Sequence, residues 1–497
     1  MIAKKNDIPF LIIVTVLSAL VSLALGSTDT KVELYGVAGL LGIVLVLAVI
    51  VKPDFGANVL IFAIYSNVSA QLSDHGYPGI IKPLVAVVFG AILIRNYYAG
   101  QLPTQRRSTL FTEIFLALYL IVLAASYAVA DNKERAITET FDYIKDIVIL
   151  YVILFSLRDW QSWRRAVWVL IIVTAVLSIL GVYQIAVGTT TQEFFRFSTV
   201  EIQGVFDGDQ NGTSRIGGPV HDPNLWAQIL VAVIAILLFR IIHEPDPLIK
   251  LFSIGLVTPM LIVLLDTYSR GGYLALMVVV ALLLFVYETR KINPARIAMI
   301  VGALIIIIPF IPAGYVARFE SLNLLSSDSA GNSSVYQDSS LRQRSSLMRT
   351  AVLMFSRNPL LGVGAGNFRN NYQKYNEILG LELEIGEVEA HSLYLQVLSE
   401  TGLLGAIAFL GIIVTTIYSM SKMMKSMDSS AIARLNISWL ASLHLAIIGY
   451  LVAATFLHNV YIRYFWILIA LSLSGMQVAE EQLRDLQKKE TISGIIN

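Results

Sequence analysis

The chain has 497 residues, 56% of them hydrophobic and 14% charged, with a mean hydropathy of +0.70. Soluble domains carry nearer a quarter charged residues, so a water-soluble globule is excluded. The formal net charge is +1, from 36 Lys and Arg against 35 Asp and Glu, and provides no bulk field for nucleic acid. Cysteine is absent, which excludes disulfides, thiolate nucleophiles and Cys-ligated metals. Chemistry must come from His, Arg, carboxylates, Tyr and backbone.

A hydrocarbon core needs about 20 apolar residues per helix. In chain order, the runs that meet or approach this are 8–26, 35–51, 56–70, 79–97, 109–130, 144–157, 164–186, 222–242, 250–266, 271–288, 297–314, 400–420, 436–456 and 460–477. The first follows Lys4 and Lys5; with so many similar runs behind it, it reads as an uncleaved span rather than a signal peptide. The fold expected is all-α, a polytopic bundle of 12–14 transmembrane helices. The lower count applies if the weak runs 56–70 and 144–157 do not cross fully.

Placing the N-terminus in the cytoplasm and alternating puts the basic loops on one side. These hold Lys52, Arg95, Arg106, Arg107, Arg158, Arg164, Arg165, Lys250, Arg290, Lys291, Arg296, Lys422, Lys425 and Arg434. The C-terminal tail adds Arg484, Lys488 and Lys489. Two outer segments are long, and long loops carry function or disorder. The chain therefore divides into spans at 1–186, an outer loop at 187–221, spans at 222–314, a large outer loop with short helices at 315–399, and spans with a tail at 400–497. The Ser-rich stretch 321–341 reads as a flap.

Candidate chemistry falls at the outer mouths. Arg215 precedes His221-Asp222-Pro223, a natural helix start with Asp222 as cap. Arg270 stands in Asp266-Thr-Tyr-Ser-Arg-Gly-Gly-Tyr273 at the end of a span. There Ser269 can cap the next helix, whose first N–H groups favour an anion, and Gly271 permits close approach. An interfacial arginine snorkelling to headgroups fits Arg270 as well. At about 100° per residue, Arg344, Met348, Ala351 and Phe355 share a helix face expected to pack on the bundle, with Arg342 and Arg349 opposite. An amphipathic helix lying on anionic lipid has the same pattern. Pro359 ends that helix, and Gly362, Gly364 and Gly366 permit a tight turn. His391 lies near a helix start that disfavours imidazolium and leaves a ring able to accept a proton, with Glu387 or Glu389 available to orient it. A merely capping histidine fits the same position. Cations converging on one face suit a phosphorylated lipid, because arginine grips a diphosphate through its bidentate fork.

Three motifs occur in order: Ser269-Arg-Gly-Gly-Tyr-Leu-Ala-Leu276, Met354-Phe through Asn358-Pro-Leu-Leu-Gly-Val-Gly-Ala-Gly-Asn-Phe368, and His391-Ser-Leu-Tyr-Leu-Gln-Val-Leu-Ser-Glu-Thr-Gly-Leu-Leu-Gly405. Together they resemble the O-antigen ligase family, which includes polysaccharide polymerases. The resemblance covers about 210–475, with Met348 standing where many relatives have tryptophan. It implies a GT-C-like, inverting, metal-independent glycosyltransferase of the bacterial inner membrane, with cytoplasmic termini, a periplasmic active site and no cofactor. The donor implied is an undecaprenyl-diphosphate-linked glycan, and the acceptor a glycan or lipid A-core. Carried over by motif, His391 is the catalytic base and Arg270, Arg344 and Arg215 bind diphosphate, with Ser269, Gly271, Gly366, Glu389 and Asp222 in support. Polymerase is favoured over ligase. A lipid-linked glycan flippase or secondary transporter is the reading from another class, disfavoured because the charges sit at span mouths and the two halves look unlike.

Overall fold

The computed structural model describes residues 30–74, 76–99, 108–187, 215–287, 339–380, 389–427, 431–457 and 463–496. The expected spans 8–26 and 297–314, the flap up to Ser339, Glu387, His458 and the side chain of Arg344 lie outside the described residues.

Fifteen α-helices and no strand are found among the described residues, so the chain is an all-α polytopic membrane protein. In order they are α1 (Thr30–Val51), α2 (Pro53–Tyr65), α3 (Val68–Asp74), α4 (Ile81–Ala99), α5 (Leu110–Ser126), α6 (Lys133–Ser156), α7 (Trp160–Val187), α8 (Pro223–His243), α9 (Pro247–Asp266) and α10 (Arg270–Leu282). The outer loop supplies α11 (Ser339–Arg357) and α12 (Phe368–Ile378), and α13 (Leu393–Ser426), α14 (Ala431–Ala453) and α15 (Arg463–Ile496) follow. Six helices among the described residues are long and apolar enough to cross a membrane. Large apolar side chains such as Phe89, Phe111, Ile121, Val176, Ile179 and Leu251 stay exposed on the bundle, as a lipid-facing surface requires.

The bundle is built around α8, whose side chains are nearly all buried, from Leu225 to Ile242. It packs against α9, α10 and α14. Ala227, Ala232 and Ala235 let these backbones approach closely, the usual route to association where lipid supplies no hydrophobic drive.

The two weak runs differ from expectation in instructive ways. The run 56–70 is interrupted at Asn67, which has φ 53°, so that α2, with 13 residues, rises only about 20 Å. The run 144–157 is instead the end of α6, which begins at Lys133 and has 24 residues, about 36 Å of helix. Its charged first turns lie before the apolar run, and tertiary contacts bury Ala136 and Tyr143 on one side of them.

At one end of the bundle Arg165 pairs with Asp54 at 2.9 Å, Ser108 Oγ donates to Glu480, and Arg158 bonds Asn96. At the other lie Arg215, Arg270, His391 and the outer-loop helices, described next.

Candidate active site

Three corners meet at this end. The first is the α9–α10 turn. Thr267 Oγ1 donates to the Leu264 carbonyl, and Ser269 Oγ accepts from Gly272 N–H at 3.3 Å, which starts α10 with Arg270 as its first residue. Arg215 reaches the same turn: its Nε donates to the Thr267 carbonyl at 2.9 Å and its Nη2 to Asn224 Oδ1 at 3.2 Å. Asp222 Oδ1 accepts from the N–H groups of Asn224 and Leu225 and caps α8. Arg215 and Arg270 thus flank one three-residue turn, Thr267 to Ser269. Arg270 is half-buried, and its guanidinium has no hydrogen bond or ion pair among the described residues.

The second corner is the start of α13. His391, with φ 48°, is half-buried directly before Ser392, between buried Ala390 and the helix. Tyr394 Oη donates to the Leu451 carbonyl near the end of α14 at 3.0 Å. A Cβ on Gly271 would lie 3.1 Å from Phe456, in the 3-10 turn Ala454–Phe456 that ends the same helix. Both α10, which Arg270 begins, and α13, which follows His391, pack on this turn. The carboxylate of Glu389 accepts from Gln396 Nε2 at 2.8 Å, so it braces the segment carrying His391 through α13.

The third corner is the outer loop. Leu347, Ala351, Met354, Val363, Phe368, Tyr372, Tyr375 and Ala390 form a core of their own. The buried face of α11 runs through Ser346, Leu347, Thr350, Ala351 and Met354, with Arg349 exposed as expected but Met348 and Phe355 only half-buried. The face is therefore rotated by about one residue from the sequence reading, because α12 packs on the Thr350 side: Ser346 and Thr350 hydroxyls both donate to Asn376 Oδ1. Arg344 lies in α11 seven residues before buried Ala351.

This loop is clasped to α13 by a break in that helix. Gly402 has φ 65° and ψ −162°, a conformation open essentially to glycine alone. The break frees backbone groups on both sides of it. Val363 and Gly364 N–H donate to the carbonyls of Ser399 and Glu400 at 2.9 Å each, while Leu403 and Leu404 N–H donate to those of Pro359 and Leu360. The Glu400 carboxylate accepts from Gly366 N–H at 3.0 Å and Phe368 N–H at 3.2 Å. Asn367 and Asn132 exchange two further bonds, which tie the loop to the start of α6.

Four non-glycine residues have left-handed backbone among those described: Asn67, His221, Tyr268 and His391. All four lie at this end. Such conformations cost of order 1–3 kcal/mol each and gather where precise placement matters.

Electrostatics singles out Glu389, the carboxylate that the sequence offers as a partner for His391. Burial, then the negative charge of Glu139 on α6, pushes the Glu389 carboxyl up to about 7, against Arg135 and Arg369, which lower it. The folded-state value lies above the ordinary 4.5, so the stability this group contributes is complete below that value and lost as pH rises through about 7. Wild-type protein should therefore melt at lower temperature at about pH 8 than at about pH 5, and Glu389→Gln should flatten that difference. An unchanged slope in thermal scans of the variant would show that Glu389 does not titrate there.

Residues 254–410 match the family model described as O-Antigen ligase. The matched stretch holds Arg270, Arg344, Glu389, His391, Glu400 and Gly402 and leaves out Arg215 and Asp222. No curated protein matches the chain.

Proposed function

We propose, from the premise that the chain carries an O-antigen ligase domain over residues 254–410, that it is a membrane glycosyltransferase moving glycan from undecaprenyl diphosphate to an acceptor hydroxyl at the periplasmic face of the inner membrane. The observation that supports this reading is that Arg215 and Arg270 meet at one turn, while the helix that Arg270 begins and the helix that follows His391 both pack on the Ala454–Phe456 turn. Arg270, Arg215 and Arg344 from the loop helix hold the diphosphate. His391 takes the proton from the acceptor hydroxyl, whose oxygen bonds the anomeric carbon while the bond from that carbon to the diphosphate oxygen breaks. The electron pair leaves with the diphosphate, where guanidinium charge stabilises it. A single displacement inverts the anomeric centre, and no divalent cation takes part.

Chain growth on the lipid carrier, hence polymerase, is preferred to transfer onto lipid A-core, because the large outer loop suits bulky glycan. Purified protein in lipid nanodiscs, given lipid-linked repeat units and a chelator, should yield a ladder of longer glycans on gels. Product only when lipid A-core is supplied would make it a ligase. No new glycosidic bond with either acceptor would favour a flippase and defeat the assignment.

A further inference from the structure

A cavity of about 280 Å³ opens at the same end of the bundle, outside the stretch matched by the family model. Its walls come from α2–α4 (Ile64, Asn67, Ala70, Ile81), α6 (Glu139, Asp142, Tyr143, Asp146) and α15 (Arg463, Tyr464). Its size matches the small end of ligand pockets, about 300 Å³. Its walls are linked to two corners of the candidate active site. On one side Asn67 Nδ2 donates to the Pro219 carbonyl at 2.8 Å, and Gln71 meets the His221 ring, which joins this wall to the Arg215 segment. On the other side Glu139 acts electrostatically on Glu389, two residues before His391.

The lining sorts substrates by charge. Among the described lining residues three carboxylates face one guanidinium, which is already held by Asp146 with Nε to Oδ1 at 3.0 Å. Lys145, outside the lining, pairs with Asp142 at 2.6 Å, so negative charge still prevails. A phosphate or a uronate would meet net repulsion here, whereas a neutral sugar ring offers hydroxyls that carboxylates and Asn67 accept in pairs. Tyr143 and Tyr464, both nearly buried, line the cavity beside an apolar wall of Ile64, Ala70 and Ile81, which suits the C–H groups of a ring. The diphosphate and the sugar are thereby parted, with one drawn to the arginine turn and the other to the acid-lined cavity.

We infer that this cavity, walled by Asn67, Glu139, Asp142, Tyr143, Asp146, Arg463 and Tyr464, is a subsite for an uncharged sugar ring of the glycan substrate. The inference rests on the glycosyltransferase reading for its biological meaning, but binding can be measured apart from transfer.

The test is saturation-transfer NMR on the full-length protein in nanodiscs, with a panel of neutral hexoses, N-acetylhexosamines and 6-deoxyhexoses, and glucuronate as the anionic comparison. At least one neutral sugar should give signal while glucuronate gives none. Asp142→Asn should weaken that binding about fivefold, as expected when a charged acceptor becomes neutral. Ala70→Phe, which fills the cavity without removing a charge, should abolish binding; because it leaves every polar wall residue in place, it decides the matter if Asp142→Asn fails to fold. Arg270→Ala should leave sugar binding unchanged while ending transfer. Silence from every neutral sugar, equal signal from glucuronate, signal untouched by Ala70→Phe, or displacement by calcium ion instead of by sugar would each overturn the subsite. Transfer that survives Arg270→Ala would instead overturn the catalytic reading and leave the sugar result standing.

Discussion

Arg270→Ala should cut glycan transfer by about 10²–10⁴-fold while the protein still reaches the membrane in normal amount. The size follows from what the guanidinium does in the proposed reaction. Negative charge grows on the departing diphosphate, and Arg270 stands at the first turn of α10, where unpaired N–H groups already favour an anion. Its guanidinium makes no hydrogen bond or ion pair among the described residues, and loss of the side chain should cost rate rather than stability. Arg270→Lys separates this reading from a lipid-anchoring one. A lysine snorkels as well as an arginine but cannot grip two phosphate oxygens at once, so an anchor tolerates the change and a diphosphate ligand does not. His391→Ala and Arg344→Ala should fall with Arg270→Ala, and polymer in cells expressing all three variants at wild-type levels would sink the mechanism.

Gly402→Ala should be the most destabilising single methyl added to this end of the molecule. The new Cβ would sit 2.4 Å from both the carbon and the oxygen of the Leu360 carbonyl, which are backbone atoms that cannot rotate away. It would also be forced into a backbone region closed to side chains, itself worth of order 1–3 kcal/mol. Relief requires the loop to let go, which leaves the N–H groups of Val363, Gly364, Leu403 and Leu404 without the carbonyls they now meet. A total loss of about 3 kcal/mol or more is expected. Gly255→Ala is the matched control: nothing lies within 4 Å of its Cβ on exposed α9, and alanine there should be neutral or stabilising by about 0.5–1 kcal/mol. Thermal melting of the two variants side by side decides the matter. Equal melting points would mean that the clasp contributes nothing.

The bundle was largely legible from apolar run length, because a membrane leaves helices little freedom to be anything else. Caps were legible too: Ser269 and Asp222 precede their helices and accept the N–H groups that chemistry assigns them. The end of α11 at Arg357, just before Asn358-Pro359, follows from proline's effect on the residue before it. Three features escaped because their cause lies far along the chain. The charged start of α6 reads as an outer connection until Asn367 and Arg463, more than two hundred residues later, are seen to hold it. The rotated face of α11 depends on Asn376 of a helix whose docking no local pattern reveals. The break at Gly402 sits in Ser399-Glu-Thr-Gly402, which reads as an ordinary helix start running on into a span. In the candidate site, Arg215, Arg270 and His391 were legible by type. The wall acids Glu139, Asp142 and Asp146 were not, although their spacing of three and four residues on α6 was a signal that could have marked one helical face.

The break at Gly402 also bears on how such proteins can be recombined. Its bonding partners belong to two stretches, 359–368 and 399–404, that interlock backbone to backbone without being consecutive. A chimera that exchanges the outer loop for a relative's, cut just before the last spans, would transplant one half of a matched fastening and keep the other. Crossovers that move both stretches together, past Leu404, should give folded hybrids in which glycan preference can be reassigned.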